Sequence, residues 1–190
     1  FTEGNDVADG TDNDDILEAL GGNDIVDGLG GNDIISGGDG NDRLLGNTGH
    51  DTLNGDAGAD TLIGGAGADA LNGGAGFDSA DYRGALAGIA FNVGTGGTGG
   101  EANGDTFSGI ERYYLSNFND TVTGSDANEF FYGEDGNDTI NAGGGIDRVY
   151  GGDGNDIMRG EAGNDQLYGS AGNDQLNGGT GFDIANYSQA

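Results

Sequence analysis

The chain has 190 residues, with 45 glycines, no proline, no cysteine and a formal net charge of −29 from 34 acidic and five basic side chains. Such a surface repels nucleic acid and anionic membranes alike, and without cysteine there is no disulfide, thiol nucleophile or thiolate zinc site. No apolar run approaches the roughly 18–20 residues of a membrane span, so membrane insertion is not expected.

High charge with few apolar residues ordinarily reads as disorder, but here the acids and glycines keep register. Acidic residues recur every nine positions from Asp6 through Asp15, Asp24, Asp33, Asp42, Asp51, Asp60 and Asp69 to Asp78. Two positions after each stands Ala8, Leu17, Val26, Ile35, Leu44, Leu53, Leu62, Leu71 or Ala80. Residues 1–27 form a degenerate edge with imperfect turns such as GTDNDD. Residues 28–82 then hold six nonapeptides of the form G-G-x-G-x-D-x-U-x, U being a large apolar residue, with Ala80 at U in the last.

Residues 83–119 break the pattern. Within them residues 88–93 alternate and predict a strand, residues 94–104 are a glycine-rich loop, and residues 105–115 read DTFSGIERYYL. The 42 residues from Asp78 to Asp120 are not a multiple of nine, so the phase slips, and Asp105 and Glu101 are placed outside the register. Glu111 is back in phase with the acids from Asp120 onward, which puts Tyr113 in the core. The segment is expected to be coils with enlarged turns, not a linker.

A second array, residues 120–190, has its acids at Asp120, Glu129, Asp138, Asp147, Asp156, Asp165, Asp174 and Asp183, and its core at Val122, Phe131, Ile140, Val149, Met158, Leu167, Leu176 and Ala185. GGAGFDSADY at residues 73–82 returns as GGTGFDIANY at 178–187, an echo about 105 residues away. The chain starts on Phe1 with no signal-like segment and is read as part of a longer protein.

A nonapeptide supplies a turn of about six residues and a strand of about three, so two complete a coil of about 18, and residues i and i+18 stack at roughly 4.8 Å. The U side chains of the two sides meet in a core one side chain deep. The predicted fold is all-β: a right-handed parallel β-roll, two arrays (residues 1–82 and 120–190) joined by a β-structured bridge (residues 83–119).

Stacking also aligns the acids. Asp24, Asp42, Asp60 and Asp78, extended by Asp6, form one file and Asp15, Asp33, Asp51 and Asp69 the opposite one; Asp120, Asp138, Asp156 and Asp174 face Glu129, Asp147, Asp165 and Asp183 in the second array. Carboxylates so close repel, and a divalent cation between turns reverses the sign. Calcium suits the site, because it takes six to eight hard oxygens in a flexible shell, whereas magnesium demands a strict octahedron. Seven gaps in the first array and six in the second, less the degraded turns, leave roughly 8–11 ions. Folding and binding are then one event.

These repeats, among them GGDGNDRLL, GGAGADALN and GGDGNDIMR, resemble the RTX family, the hemolysin-type calcium-binding repeats of bacterial secreted proteins. The bridge, with GGAGFDSADY followed by GDTFSGIERYYL, is similar to segments found between such arrays. The resemblance implies a ligand set of position-six aspartates with carbonyls of positions one and three in one turn and two and four in the next. Carried here, Asp42 and Asp60 are joined by the carbonyls of Gly37, Asp39, Asp56 and Gly58, and Asp156 and Asp174 by those of Gly151, Asp153, Ser170 and Gly172. The turns of Asp6, Asp15, Asp120 and Glu129 depart from the pattern, with Phe118 and Ala127 at the fourth position in the latter two. Family resemblance further implies type I secretion, folding in extracellular calcium, and a secreted or cell-surface location.

Other residues invite competing readings. His50 occupies position five of its turn and is expected to point to solvent. Tyr114, Tyr132, Tyr150 and Tyr168, 18 apart, form an outward ladder, either a staple between coils or a strip that contacts glycan or a partner. Val7, Ile16, Ile25 and Ile34 are apolar at an outward position and suit a docking neighbour domain. No HExxH, G-x-S-x-G or phosphate loop is present, so no catalysis is expected in this chain. The leading function is a calcium-induced folding module, monomeric, of a larger secreted protein. The alternatives are an adhesion or carbohydrate-contact module, and an accessory part of a polysaccharide-modifying enzyme, protease or lipase.

Overall fold

Side-chain alternation at one residue in two, repeated every nine, leaves the chain one economical solution: short strands stacked in parallel around a line of U residues. The computed structural model describes residues 1–187; residues 188–190 at the end of the second array lie outside them. Two compact units are resolved.

The first comprises Phe1–Asp81 and Glu101–Ile110. One face stacks Val7–Thr11, Ile25–Leu29, Arg43–Gly49, Thr61–Gly67 and Ser79–Asp81; the other stacks Ile16–Glu18, Ile34–Asp39, Thr52–Gly58, Ala70–Asn72 and Thr106–Ser108. Neighbours are parallel and offset by 18 residues, as in Val26↔Leu44 and Ile35↔Leu53. Val26, Ile35, Leu44, Leu53, Leu62, Leu71 and Ala80 are fully buried. The last pairing, Phe107↔Leu71, spans 36 residues, because the intervening coil belongs to the other unit.

The second comprises Tyr82–Gly100 and Glu111–Ala190. Its faces stack Arg112–Tyr114, Phe130–Tyr132, Arg148–Asp153, Gln166–Ala171 and Ile184–Asn186, and opposite them Ala90–Asn92, Thr121–Thr123, Thr139–Asn141, Ile157–Arg159 and Gln175–Asn177. The expected strand within residues 88–93 forms as Ala90–Asn92, and the glycine-rich loop folds back on it as an antiparallel strand, Gly96–Gly99. Tyr113 is buried in the core, as its phase requires. Aromatic rings fill the first coils: the ring centroids of Tyr82–Phe91, Phe91–Tyr113 and Tyr113–Phe131 lie 5.9, 5.4 and 5.2 Å apart.

Candidate metal centre

Every turn ending in one of the thirteen predicted aspartates has its second residue in the left-handed region. Some are glycines, such as Gly38, Gly65 and Gly152; others are Leu20, Leu29, Asn47, Asp56, Glu134, Glu161 and Ser170, with φ between 66 and 77°. This conformation costs an L-residue about 1–3 kcal/mol, and is held by the coil beneath. Fourth-position glycines are tighter still. Gly58 has φ +149°, and a Cβ there would lie 1.4 Å from the Gly40 carbonyl oxygen; at Gly172 the clash is with Gly154 at 1.5 Å.

These turns deliver the aspartates to the interior. Asp24, Asp33, Asp42, Asp51, Asp60, Asp69 and Asp78 in the first unit, and Asp138, Asp147, Asp156 and Asp165 in the second, are almost fully buried, while Asp174 and Asp183 in the last coil are partly exposed. Each carboxylate gives Oδ1 to a neighbouring coil: Asp24 N–H donates to Asp42, Asp42 to Asp60 and Asp60 to Asp78, each at 2.8 Å. Asp138 donates to Asp156 at 3.0 Å and Asp147 to Asp165 at 2.9 Å.

The other oxygen is different. Oδ2 of Asp24, Asp42 and Asp60, of Asp33, Asp51 and Asp69, and of Asp138, Asp147, Asp156 and Asp165 is buried with no hydrogen-bond partner. An orphaned buried acceptor costs about 1–3 kcal/mol, more if charged. Protonation is one escape, and the carboxyls lean toward it: burial foremost, opposed by the N–H bond and reinforced by neighbouring carboxylates, pushes Asp60 and Asp69 up to about 7 and Asp138 to about 8. Asp147 rises to about 7 and Asp156 to about 6 for the same reasons. A cation is the other escape, and the donor set fits one. Among the described residues no three His, Cys, Asp or Glu side chains converge; a hard ion such as calcium accepts carboxylate, main-chain carbonyl and water oxygens together.

The carbonyl candidates occupy that shell's surroundings unevenly. The sites where a Cβ of Gly37 and Gly151 would stand are each 2.3 Å from Oδ2 of the acid in the same turn, Asp42 and Asp156. Asp56 and Ser170 are in the left-handed region. The carbonyls of Asp39 and Asp153 already accept the N–H of Gly22 and Gly136, each at 2.8 Å, which leaves one lone pair apiece.

One reading needs correction and another gains a detail. Asp105, placed outside the register, is fully buried and receives the Asp69 N–H at 2.9 Å, as the end of that file. The signal is in the sequence: Asp105 follows Asp78 by three ninefold steps. His50 is exposed as expected, yet it is not merely solvated. Its Nδ1 accepts the Ala68 N–H at 2.9 Å, continuing a ladder in which Asn32 accepts the His50 N–H at 2.8 Å. The same position-five ladder runs Asn119, Asn137, Asn155, Asn173 in the second unit.

The Tyr ladder is present and half-buried. Tyr114–Tyr132 and Tyr132–Tyr150 stack at 4.9 Å and Tyr150–Tyr168 at 4.8 Å, and the Arg83 guanidinium lies 4.3 Å over Tyr114. The ring faces a sugar would stack on are therefore engaged by one another, which favours the staple.

Parallel coils, inward carboxylate files and glycine turns together define a parallel β-roll whose acid files are consistent with metal binding. The family pattern for the RTX calcium-binding nonapeptide repeat, four copies long, matches residues 2–35, 9–44, 20–53, 45–80, 114–149 and 150–185, and the chain belongs to that family. The repeats of that family are calcium-binding nonapeptides. No curated protein matches the chain in sequence.

Proposed function

We propose that the chain is a calcium-dependent folding module of a larger secreted protein, held in an expanded state where calcium is scarce and compact where it is abundant. The observation that carries this reading is the row of buried, unpartnered Oδ2 atoms, which a cation would satisfy. Asp24, Asp42, Asp60 and Asp78, with Asp33, Asp51 and Asp69, would hold the ions of the first unit. Asp138, Asp156 and Asp174, with Asp147, Asp165 and Asp183, would hold those of the second, assisted by carbonyls such as those of Gly37, Asp39, Asp56 and Gly58 or Gly151, Asp153, Ser170 and Gly172. Bound calcium supplies positive charge and removes the need for protonation; about ten ions would offset about 20 of the negative charges. Family membership supports export by a type I system and an extracellular or surface location.

Chelator-treated protein titrated with calcium near neutral pH, followed by far-UV circular dichroism and bound-ion stoichiometry, tests the proposal. The expected result is a cooperative gain of β structure with roughly 8–11 ions, not reproduced by magnesium. Full β structure in chelator, or no ion uptake, overturns it.

A further inference from the structure

Four turns satisfy their acid without any cation. In each, the second residue carries a hydroxyl, and both its N–H and its O–H donate to the carboxylate four positions on. Thr2 reaches Asp6 at 2.6 and 3.1 Å, and Thr11 reaches Asp15 at 2.6 and 2.8 Å. Ser116 reaches Asp120 at 2.8 and 2.7 Å, and Ser125 reaches Glu129 at 2.8 and 2.7 Å. The hydroxyl also accepts the N–H two residues on, from Phe118 to Ser116 and from Ala127 to Ser125, each at 3.1 Å. Donor and acceptor capacity thus close on themselves within the turn.

The backbone separates the two classes as cleanly as the side chains do. None of these four second residues has a positive φ. Ser170 shows that a hydroxyl alone is insufficient: at φ 67° it belongs to the left-handed class and makes no such bond. Hydrogen bonds to a charged acceptor stabilise it, in place of the penalty an orphaned oxygen carries.

Two of the hydroxyl-closed turns fall together in the second unit, beside a cluster of buried apolar side chains. Ile89, Phe91, Tyr113, Leu115, Val122 and Phe131 are all buried there, and Asp120 additionally receives the Ile89 N–H at 2.8 Å. We propose that the turns closed by Ser116 and Ser125 bind no metal, and that the coils from Ala90–Asn92 to Phe130–Tyr132 form a nucleus that is folded without calcium, onto which the metal-requiring coils assemble. This rests on the calcium reading above, since it divides the roll into metal-requiring and metal-independent parts. The hydroxyl plays in these coils the part that the cation plays elsewhere.

Hydrogen exchange read by mass spectrometry on the full chain, in excess chelator and in saturating calcium, tests it. The expected result is protection of residues 112–132 in both conditions, and of residues 148–171 in calcium only. Exchange of 112–132 at the unfolded rate in chelator overturns the proposal, as does equal protection of 148–171 without calcium. The double variant S116A/S125A should lose the chelator-resistant protection while retaining the wild-type ion count in calcium. The S116T/S125T variant should restore it, because threonine performs this role at Thr2 and Thr11. Undiminished chelator-resistant protection in the alanine variant, or no rescue by threonine, also overturns it. If 148–171 gain nothing on calcium addition, the calcium reading itself fails, whatever 112–132 do.

Discussion

The Asp69 N–H donates to the carboxylate of Asp105 at 2.9 Å, across 36 residues, where every other link in that file spans 18. The chain leaves the first unit after Asp81, builds part of the second, and returns with an acid to finish the file. Residues 101–110 thus close the end of the first unit.

Asp105→Ala should therefore leave a buried N–H without its acceptor and cost about 1–3 kcal/mol. Asp105→Asn, which retains an acceptor oxygen, should cost less. Thermal unfolding in saturating calcium, comparing both variants with wild type, is the check; equal effects would mean the negative charge and not the acceptor matters.

Acid should substitute for calcium. The unfolded aspartates titrate near 3.9, whereas Asp60, Asp69, Asp138, Asp147 and Asp156 are raised in the metal-free fold to between about 6 and about 8. A raised folded value means the fold binds more protons than the unfolded chain between those limits. Its stabilisation is then complete below about pH 4 and is lost as pH rises through about 6 to 8. Metal-stripped protein taken from pH 8.5 to 5 should gain β signal in circular dichroism, and a loss of signal on acidification would contradict the assignment.

Gly58→Ala places a Cβ 1.4 Å from a backbone oxygen that cannot swing away, at a φ of +149°. It should destabilise the first unit by more than about 3 kcal/mol. Gly84→Ala is the control: it meets no atom within 4 Å and should stay within about 0.5 kcal/mol of wild type. Calcium midpoints for the two variants would show the contrast.

Tyr150→Ala removes two stacked neighbours and Tyr168→Ala one, at about 0.5–1.5 kcal/mol per ring pair beyond area burial. The melting temperature should fall further for Tyr150. A glycan array on the same variants should show no change; a glycan signal abolished by Tyr150→Ala with unchanged stability would instead support the contact strip.

The ninefold acids and the U positions make the coil, its register and its core legible in the sequence itself, because each is a periodic consequence of stacking. Asp105 is hidden by a count anchored on Asp120, when the first unit's phase in fact continues across the excursion. Ser116 and Ser125 are equally visible, four residues ahead of acids whose turns are irregular. Their role is harder to see because Phe118 and Ala127 speak to what blocks a metal, not to what replaces it. The exposure expected of His50 is correct, but exposure says nothing of an imidazole nitrogen's use as a backbone acceptor.

The hydrogen bonds along a file all run the same way: the N–H of Asp24 points to Asp42, and that of Asp42 to Asp60. Stripping a coil from the start of such a file uncovers a carboxylate oxygen, which water solvates readily. Stripping one from the other end uncovers an amide that has lost its acceptor. A roll of this kind is consequently a vectorial polymer with two chemically unlike ends, one presenting acceptors and the other donors.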